Sequence, residues 1–200
     1  MPVGSATPSK PAAGRPRSER ARLAVLEAAA DLLVEGGLRS TTIESIAARA
    51  GVSKVTIYKW WPTRGAVAVD AYFHRYRETI DFEDTGDVAG DLTAQIRSLI
   101  DAFTGRAGAV MAELIGQAQF DANLAEVLRA RWIAPRRALT TAVLQRAVDR
   151  GQLRPGTDIP ALMDQLYAPL YFRLIMRHEP LDDALAQTLV TTALNGARAR

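Results

Sequence analysis

The sequence contains no cysteine, so neither a disulfide bond nor a thiolate ligand is available to it. Its 2 histidines, His74 and His178, stand far apart in sequence and belong to no metal-binding motif. Apolar residues never run unbroken for the roughly 18 positions that a membrane span requires, and the N-terminus lacks the apolar core of a signal peptide. These absences predict a cytoplasmic protein without a disulfide, a metal site or a membrane partner.

Patterns that would indicate catalysis or a β-sheet are also missing. There is no HExxH motif and no Gly-rich phosphate loop led by a strand, and no run of alternating β-branched residues predicts a strand. The apolar content of 48% is ample for a packed core. We therefore predict an all-α protein of about nine helices, which is not an enzyme and holds no cofactor.

Charge is divided unevenly along the chain. Residues 1–80 hold 12 Lys and Arg against 7 Asp and Glu, whereas residues 81–200 hold 13 against 15. A basic excess in one part of a chain is what a phosphate-binding surface requires, although random scatter of charge remains an alternative. The pattern favours a nucleic-acid partner for the N-terminal part.

Residues 40–70 are the most informative stretch, because they predict two short helices joined by a tight glycine turn. Thr41 and Glu44 have the spacing of a capping box at the start of the first helix. Gly51 permits the turn between the helices, and Ser53 can cap the second one. This arrangement predicts a helix-turn-helix, a motif whose second helix can lie in the DNA major groove.

Further helices are predicted on both sides of this motif. A first helix over residues 18–35 ends at Gly36 and Gly37, and a fourth, capped by Thr63, runs to about Thr79. Residues 81–90 are acidic and interrupted by glycine, which is typical of a linker. The predicted domains are a disordered basic tail over residues 1–17, a helix-turn-helix domain with helix four as connector over residues 18–80, and a helical regulatory and dimerisation domain over residues 81–200.

Residues 42–67, T-I-E-S-I-A-A-R-A-G-V-S-K-V-T-I-Y-K-W-W-P-T-R-G-A-V, resemble the N-terminal pattern of the TetR family of bacterial transcriptional regulators. The likeness includes the Thr-led helix, the A-G-V-S turn, Tyr58 and the aromatic-Pro-small-basic step. It covers residues 18–70, and the remaining residues match in length and helical character alone. The resemblance implies a three-helix DNA-binding unit on a helical regulatory domain, and a homodimer whose last two helices pair in a four-helix bundle.

The resemblance also implies roles for outward residues of the motif, since Ile57 and Trp61 point to the core. Carried over by position, some lie where the family reads bases or the adjacent backbone, and others where it grips phosphates. The G-R-P-R string of residues 14–17 is predicted to be an extended arm that enters the minor groove, or else a solvated tail. The base-facing residues are Lys54, Val55, Tyr58 and Lys59, the phosphate-facing residues are Thr42, Thr56, Trp60 and Arg64, and Ser53, Arg15 and Arg17 complete the predicted DNA-binding set.

Pro135 and Pro169 each stand inside a segment patterned as helix. An interior proline bends a helix and can open space for a ligand, although Pro135 can equally begin a new helix. Few charges lie nearby, so we predict a small apolar or aromatic effector with one or two hydrogen-bonding groups. The candidate lining residues, most of them expected to be core, are Phe73, Phe103, Met111, Leu114, Gln117, Phe120, Trp132, Tyr167 and Tyr171.

Residues 161–176 are apolar nearly all the way round, so a helix there must bury two faces. One face can meet its own domain and the other a partner subunit, together with a leucine stripe on the last helix. The predicted dimer-interface residues are Leu162, Leu166, Leu170, Leu174, Leu181, Leu185 and Leu189.

The sequence therefore predicts a homodimeric repressor that binds a palindromic operator and is released from it by a small ligand. Its predicted partners are double-stranded DNA, a small-molecule effector and a second copy of the chain. An effector-independent DNA-binding regulator or activator is the first alternative, and an enzyme with a DNA-binding head is the second.

Overall fold

The computed structural model describes residues 15–76 and 83–197, with side chains from Ser18 onward in the first helix. The described residues form helices and no strand, which confirms the all-α prediction. If the continuous helical run over residues 122–149 is counted once, the helices number nine, as expected. They are α1 (Arg15–Ser40), α2 (Ile43–Ala50), α3 (Lys54–Tyr58), α4 (Arg64–Tyr76), α5 (Val88–Phe103), α6 (Gly105–Ala118), α7 (Ala122–Leu128), a π-helical turn (Arg129–Ile133), α8 (Ala134–Asp149), α9 (Ile159–Met176) and α10 (Asp183–Ala197).

Helix α1 begins before the predicted start, because its backbone is already helical at Arg15. Pro16 is compatible with a first helical turn, where its missing N–H costs no hydrogen bond. The prediction of an extended arm is therefore wrong for the backbone of residues 15–17. The rest of the predicted tail, residues 1–14, and the side chains of Arg15 and Arg17 lie outside the described residues.

The helix-turn-helix forms as predicted at its turn, but its first cap lies one residue later. The reciprocal box joins Thr42 to Ser45: Thr42 Oγ1 accepts the Ser45 N–H at 3.1 Å, and Ser45 Oγ accepts the Thr42 N–H at 2.9 Å. Thr41 is fully buried and donates its hydroxyl to the Gly37 carbonyl instead. Gly51 takes the left-handed conformation at φ 66° between the two helices.

Polar contacts with α6 fix the end of α1. Arg106 donates from Nε to the Val34 carbonyl at 2.6 Å, and Glu113 Oε2 accepts the Leu38 N–H at 2.9 Å. The last carbonyls of a helix carry partial negative charge, so an arginine there is stabilising. The N-terminal unit (α1–α3) is thereby attached to the helices that follow it.

The expected linker over residues 81–90 overlaps the first turn of α5. Helix α4 is described as far as Tyr76, and residues 77–82 lie outside the described part of the chain. Helix α5 begins at Val88, because Asp87 caps it by accepting the Ala89 N–H at 3.2 Å. Before it, Asp84 pairs with Arg150, the residue that follows α8, and with Arg146 of α8, and both hydrogen bonds lower the pKa of Asp84 to about 2.

Neither interior proline breaks its helical segment. Pro135 lies in the first turn of α8, which follows the π-helical turn without interruption. In that turn the Ala134 N–H reaches back to the Arg129 carbonyl, and such wider turns accommodate local defects in the hydrogen-bond ladder. Pro169 lies inside α9, and the helix continues past it to Met176.

Gly37 is the backbone position that the attachment of α1 to α6 depends on. Its φ of 69° and ψ of −164° fall in a region that only glycine adopts without strain. A Cβ added there would lie 2.4 Å from Glu113 Oε2, the group that holds Leu38. We expect Gly37→Ala to lower the free energy of unfolding by about 1–3 kcal/mol, measured by urea denaturation.

Gly116→Ala is the matched control, because Gly116 is helical and an added Cβ meets nothing within 4 Å. That variant should be stabilised by up to about 1 kcal/mol. Equal unfolding free energies for the two variants would contradict the role assigned to Gly37.

Candidate DNA-binding surface and effector cavity

The outward side of α3 carries side chains that are exposed to solvent. Val55 is 68% exposed and Tyr58 is 52% exposed, although both are large and partly apolar. Lys54 and Lys59 are exposed beside them, while Ile57 is fully buried on the opposite side. The four residues predicted to face bases therefore share one solvent-exposed surface, which we name the α3 surface.

Lys54 is held across the motif by an ion pair with Glu44 of α2. Its Nζ lies 2.7 Å from Glu44 Oε1, and this hydrogen bond raises the pKa of Lys54. Both side chains are more than half exposed, so solvent screens the pair and little energy opposes its opening. Lys54 can leave Glu44 for an acceptor of higher charge.

The hydroxyl groups of the predicted DNA-binding set hold helix ends in this structure. Ser53 Oγ accepts the Thr56 N–H at 3.1 Å and shares a hydrogen bond with Thr56 Oγ1. Thr42 Oγ1 is likewise engaged with Ser45. Trp60 is half-buried, with its ring 5.7 Å from that of Trp61. These residues position α2 and α3, and their contact with DNA stays a prediction.

Two of the predicted effector residues lie on the outer surface instead. Phe120 is 90% exposed and Gln117 is also exposed. They line an open groove together with Arg64, the first residue of α4. Both follow the apolar stripe of α6 in sequence but point away from its buried face, so their contact with a ligand stays a prediction.

A cavity of about 320 Å³ lies between α8 and α9 and is named here the α8–α9 cavity. A neighbouring cavity of about 260 Å³ shares Ile133 and Tyr171 with it and is lined by Trp132 as well. Of the residues predicted from sequence, Tyr167, Tyr171 and Trp132 line this space. The α8–α9 cavity is lined by Ile133, Arg136, Arg137, Thr140, Met163, Asp164, Tyr167, Ala168 and Tyr171.

The other predicted effector residues line neither of these two cavities. Met111 and Leu114 are fully buried. Phe103 packs its edge against Tyr171 at 5.2 Å between ring centres. Phe73 stacks on Trp132 at 4.6 Å, with 15° between the ring planes. Helical spacing does not separate such core positions from cavity walls.

Polar groups converge behind the apolar wall of the cavity. Trp132 Nε1 donates to the Tyr171 hydroxyl at 2.8 Å, and the Tyr167 hydroxyl donates to Gln95 Oε1 at 2.9 Å. Burial raises the pKa of Tyr167 and of Tyr171, so both phenols stay protonated. Gln95 is buried, and the sequence analysis did not predict it as part of this cluster. The signal available in the sequence was a polar residue next to the apolar Ile96.

Arg136 is a second residue of this cluster that sequence reasoning missed. It is 9% exposed, and its guanidinium carbon lies 4.1 Å from the centre of the Trp132 ring. Within the described part of the chain, neither Nη1 nor Nη2 has a hydrogen-bond partner. Burial accordingly lowers the pKa of Arg136. Arg137, the next residue, forms an ion pair with Asp164. The two adjacent arginines of α8 therefore differ in whether the guanidinium has an ionic partner, because they lie on different sides of the helix.

The π-helical turn connects the cavity with the N-terminal unit. Trp132 on this turn stacks on Phe73 of α4, and Arg131 beside it forms an ion pair with Asp70 of α4. Asp70 Oδ2 also accepts the Trp61 Nε1–H at 2.7 Å, immediately after α3. A continuous set of packed and hydrogen-bonded groups therefore joins the cavity wall to the end of α3.

The predicted dimer-interface leucines of α9 lie inside the protomer. Leu162, Leu166, Leu170 and Leu174 are at most 5% exposed, so they are not available to a partner. Leu185 is buried too, and Leu181 and Leu189 are half-buried. The prediction was wrong for the α9 leucines, because both apolar stripes of α9 turn inward, one to the core and one to the cavity. For Leu181 and Leu189 it stays a prediction.

The outward sides of α9 and α10 carry a different set of residues, named here the α9–α10 face. Its members are exposed, recur at intervals of three or four residues, and include no charged side chain. They are Ala161, Gln165, Ala168, Phe172 and Met176 on α9, and Ala184, Thr188, Thr191 and Asn195 on α10.

In residues 15–76 and 83–197, no group of three or more histidines and carboxylates is arranged to hold a metal ion. No helix in those ranges combines the length and the apolar character needed to cross a membrane.

Two family models match this chain, one in its N-terminal part and one in its C-terminal part. Residues 25–70 match the family model described as bacterial regulatory proteins, tetR family. Residues 82–193 match the model described as Tetracyclin repressor-like, C-terminal domain. The two matches cover the helix-turn-helix and the helices that form the cavity.

Individual relatives match over nearly the whole chain. The uncharacterized HTH-type transcriptional regulator YdeS of Bacillus subtilis is 38% identical over 186 residues, which is 93% of this chain and 94% of that protein. The DNA-binding transcriptional repressor TetR of Mycobacteroides abscessus is 30% identical and covers 89% and 94%. The crystal structure of the TetR family transcription regulator SCO0332 is 46% identical with a TM-score of 0.78, covering 88% of this chain and 98% of that one. The chain therefore belongs to the TetR family of helix-turn-helix transcriptional regulators.

Proposed function

We propose that this regulator is a homodimeric repressor that leaves its operator when a small molecule enters the α8–α9 cavity. The observation that carries the proposal is the π-helical turn, which lines the α8–α9 cavity through Ile133 and the neighbouring cavity through Trp132. The same turn contacts Phe73 and Asp70 of α4. The repressor named TetR from Mycobacteroides abscessus supports the direction of control. The protein acts on chromosomal DNA in the cytoplasm.

The α3 surface reads the operator. A lysine donates to guanine O6 and N7 in the major groove, and a valine methyl contacts the methyl group of thymine. Lys54 and Val55 have the chemistry and the exposure for these contacts. Arg64 lies half-buried at the start of α4, where a guanidinium can grip a phosphate without reading sequence.

Dimerisation through the α9–α10 face supplies the second copy of α3. The absence of charge and the small residues Ala161, Ala168 and Ala184 allow two copies of the helix pair to approach closely. Phe172 is 57% exposed within this face, which favours burial in an interface. A two-fold dimer presents its two copies of α3 to successive turns of the major groove, so the operator is an inverted repeat.

Release follows if the ligand fits a different placement of α4. A ligand shifts an equilibrium only by its differential affinity for two states. A molecule that displaces Trp132 disturbs its stacking on Phe73 and the neighbouring Arg131–Asp70 pair. Because α4 follows α3 directly, its movement changes the spacing of the two reading helices.

Substitution of Lys54 tests direct base reading. Operators are first selected from randomised DNA with the full-length protein, and an inverted repeat is expected. Lys54→Ala should then relax selectivity at one position per half-site, at a cost of about 1–3 kcal/mol measured by fluorescence anisotropy.

Arg64→Ala is the matched variant for phosphate contact. It should weaken binding to every sequence alike and reduce the salt slope by about one unit. The assignment is wrong if Lys54→Ala gives this uniform loss, or if Arg64→Ala alters base preference alone.

The dimer face is tested by placing a charge in it. Phe172→Glu should convert the dimer to monomers in light-scattering measurements and lower operator affinity by more than about tenfold, because a buried unpaired carboxylate is costly. Leu139→Glu is the control, since Leu139 is 49% exposed on α8, outside the α9–α10 face. A Phe172→Glu protein that remains dimeric would rule out this interface.

Effector release is tested by screening small molecules for compounds that raise the melting temperature of the free protein. Such compounds should weaken operator binding by about 5- to 150-fold, the usual range of coupling between sites. Asp70→Asn should keep the stabilisation by these compounds but reduce the release, because it weakens the contact with Arg131.

Asp31→Asn is the control for that variant, since Asp31 pairs with Arg75 of α4 and does not touch the π-helical turn. Equal release in both variants would exclude the Asp70 contact as the connection. Compounds that stabilise the protein and never affect operator binding would favour an effector-independent regulator instead.

A further inference from the structure

The α8–α9 cavity contains a positive charge without a compensating negative one. Arg136 is 9% exposed, and its Nη1 and Nη2 have no hydrogen-bond partner among the described residues. The titratable groups that act on it are the hydroxyls of Tyr72, Tyr167 and Tyr171, and phenols are neutral at physiological pH. The contact with the Trp132 ring is therefore the main favourable interaction of this guanidinium.

Such an arrangement is unfavourable for a protein by itself. Removing a guanidinium from water carries a large penalty that one aromatic face offsets only in part. Buried polar groups in native proteins nearly always have partners, and an exception calls for an unseen ligand or a functional reason. The Tyr72 hydroxyl is also buried without a partner in the described ranges, so the donors that lack acceptors cluster together.

We propose that the effector is a compact organic acid whose carboxylate pairs with Arg136 while its apolar body fills the α8–α9 cavity. This inference rests on the proposed function and goes beyond the apolar or aromatic effector predicted from sequence. A carboxylate matches the two parallel donors of a guanidinium and can take further bonds from tyrosine hydroxyls. The apolar body finds Ile133, Met163 and Ala168 in the cavity wall.

The charge balance of the cavity favours a single negative charge on the ligand. Arg137 also lines the cavity, but it is neutralised by Asp164, whose Oδ1 lies 2.6 Å from Arg137 Nη1. One cation is left to be paired, and a phosphate dianion would leave an excess charge in the interior. The volume of about 320 Å³ is near the lower end of the range for small-molecule sites, so the acid is compact.

Pairing of Arg136 with an acid would also affect the contacts that join the cavity to α4. The guanidinium of Arg136 lies over Trp132, and Trp132 stacks on Phe73 of α4. A carboxylate that draws Arg136 toward the cavity removes the cation from one face of the indole. The acid thereby acts on the residue that contacts α4.

The test uses the full-length protein and a fragment library in which every carboxylic acid has its primary amide as a twin. Melting temperatures are measured for each pair, and the stabilising compounds are expected to be acids whose amides have no effect. Arg136→Met should weaken binding of those acids by about ten- to hundredfold, as expected for loss of a charged hydrogen-bonded pair. Arg136→Lys keeps the positive charge but lacks the two parallel N–H donors of a guanidinium, so it should recover part of the affinity for the acids.

Arg137→Met is the matched control, because its side chain lines the same cavity but is already paired. It should retain the response to acids. Without ligand, Arg136→Met should melt at the same temperature as the wild type or higher, since it removes an uncompensated buried charge. A melting temperature lowered by several degrees would show that Arg136 is already stabilised within the chain, and would overturn the premise of an uncompensated charge.

The remaining outcomes separate this inference from the proposed function. Equal numbers of acid and amide hits, acids that still stabilise Arg136→Met, or no stabilising acid at all would overturn the acid site. If amides or other neutral compounds then release the operator, the proposed function stands without it. If acids bind through Arg136 but leave operator affinity unchanged, the acid site stands and ligand-controlled repression fails.

Discussion

The stacking of Trp132 on Phe73 is the interaction on which the arrangement of the regulatory helices depends. It brings the π-helical turn against α4, and the same indole donates a hydrogen bond to Tyr171 and lies beneath the guanidinium of Arg136. A flat, rigid side chain with one polar edge can serve all of these contacts at once. The neighbouring cavity and α4, the helix that follows α3, are thus in contact through one ring.

This contact requires helices that are held firmly elsewhere. The end of α1 is fixed by Arg106 and Glu113, and Gly37 allows the close approach of the Glu113 carboxylate. In the proposed release, α1 and α6 stay fastened there, so that a movement of the π-helical turn would reach α4 and would not be absorbed by the whole N-terminal unit. Pro135, at the start of α8, supplies a reason for the π-helical turn itself, since proline cannot donate into a regular α-helical ladder.

Much of the N-terminal unit was predictable because its signals are local. The left-handed glycine at Gly51, the cap at Ser53 and the buried Ile57 each follow from nearby residues, and each is present. The regulatory part was less predictable because its residues take their roles from helices distant in sequence. The leucine stripe of α9 was assigned to a partner but fills the protomer's own core, and Arg136 was passed over although it is the buried charge of the cavity.

The sequence alone determined the family, the all-helical fold and the side of α3 that faces outward, because glycine turns, caps and helical periodicity act over a few residues. Only the tertiary structure decided which face of α9 is free, which of the predicted effector residues are core and which line a cavity, and which of two adjacent arginines has a partner. Adjacent positions on a helix point about 100° apart, so Arg137 reaches Asp164 while Arg136 enters the core. Burial is a property of packing between distant segments, and no local pattern records it.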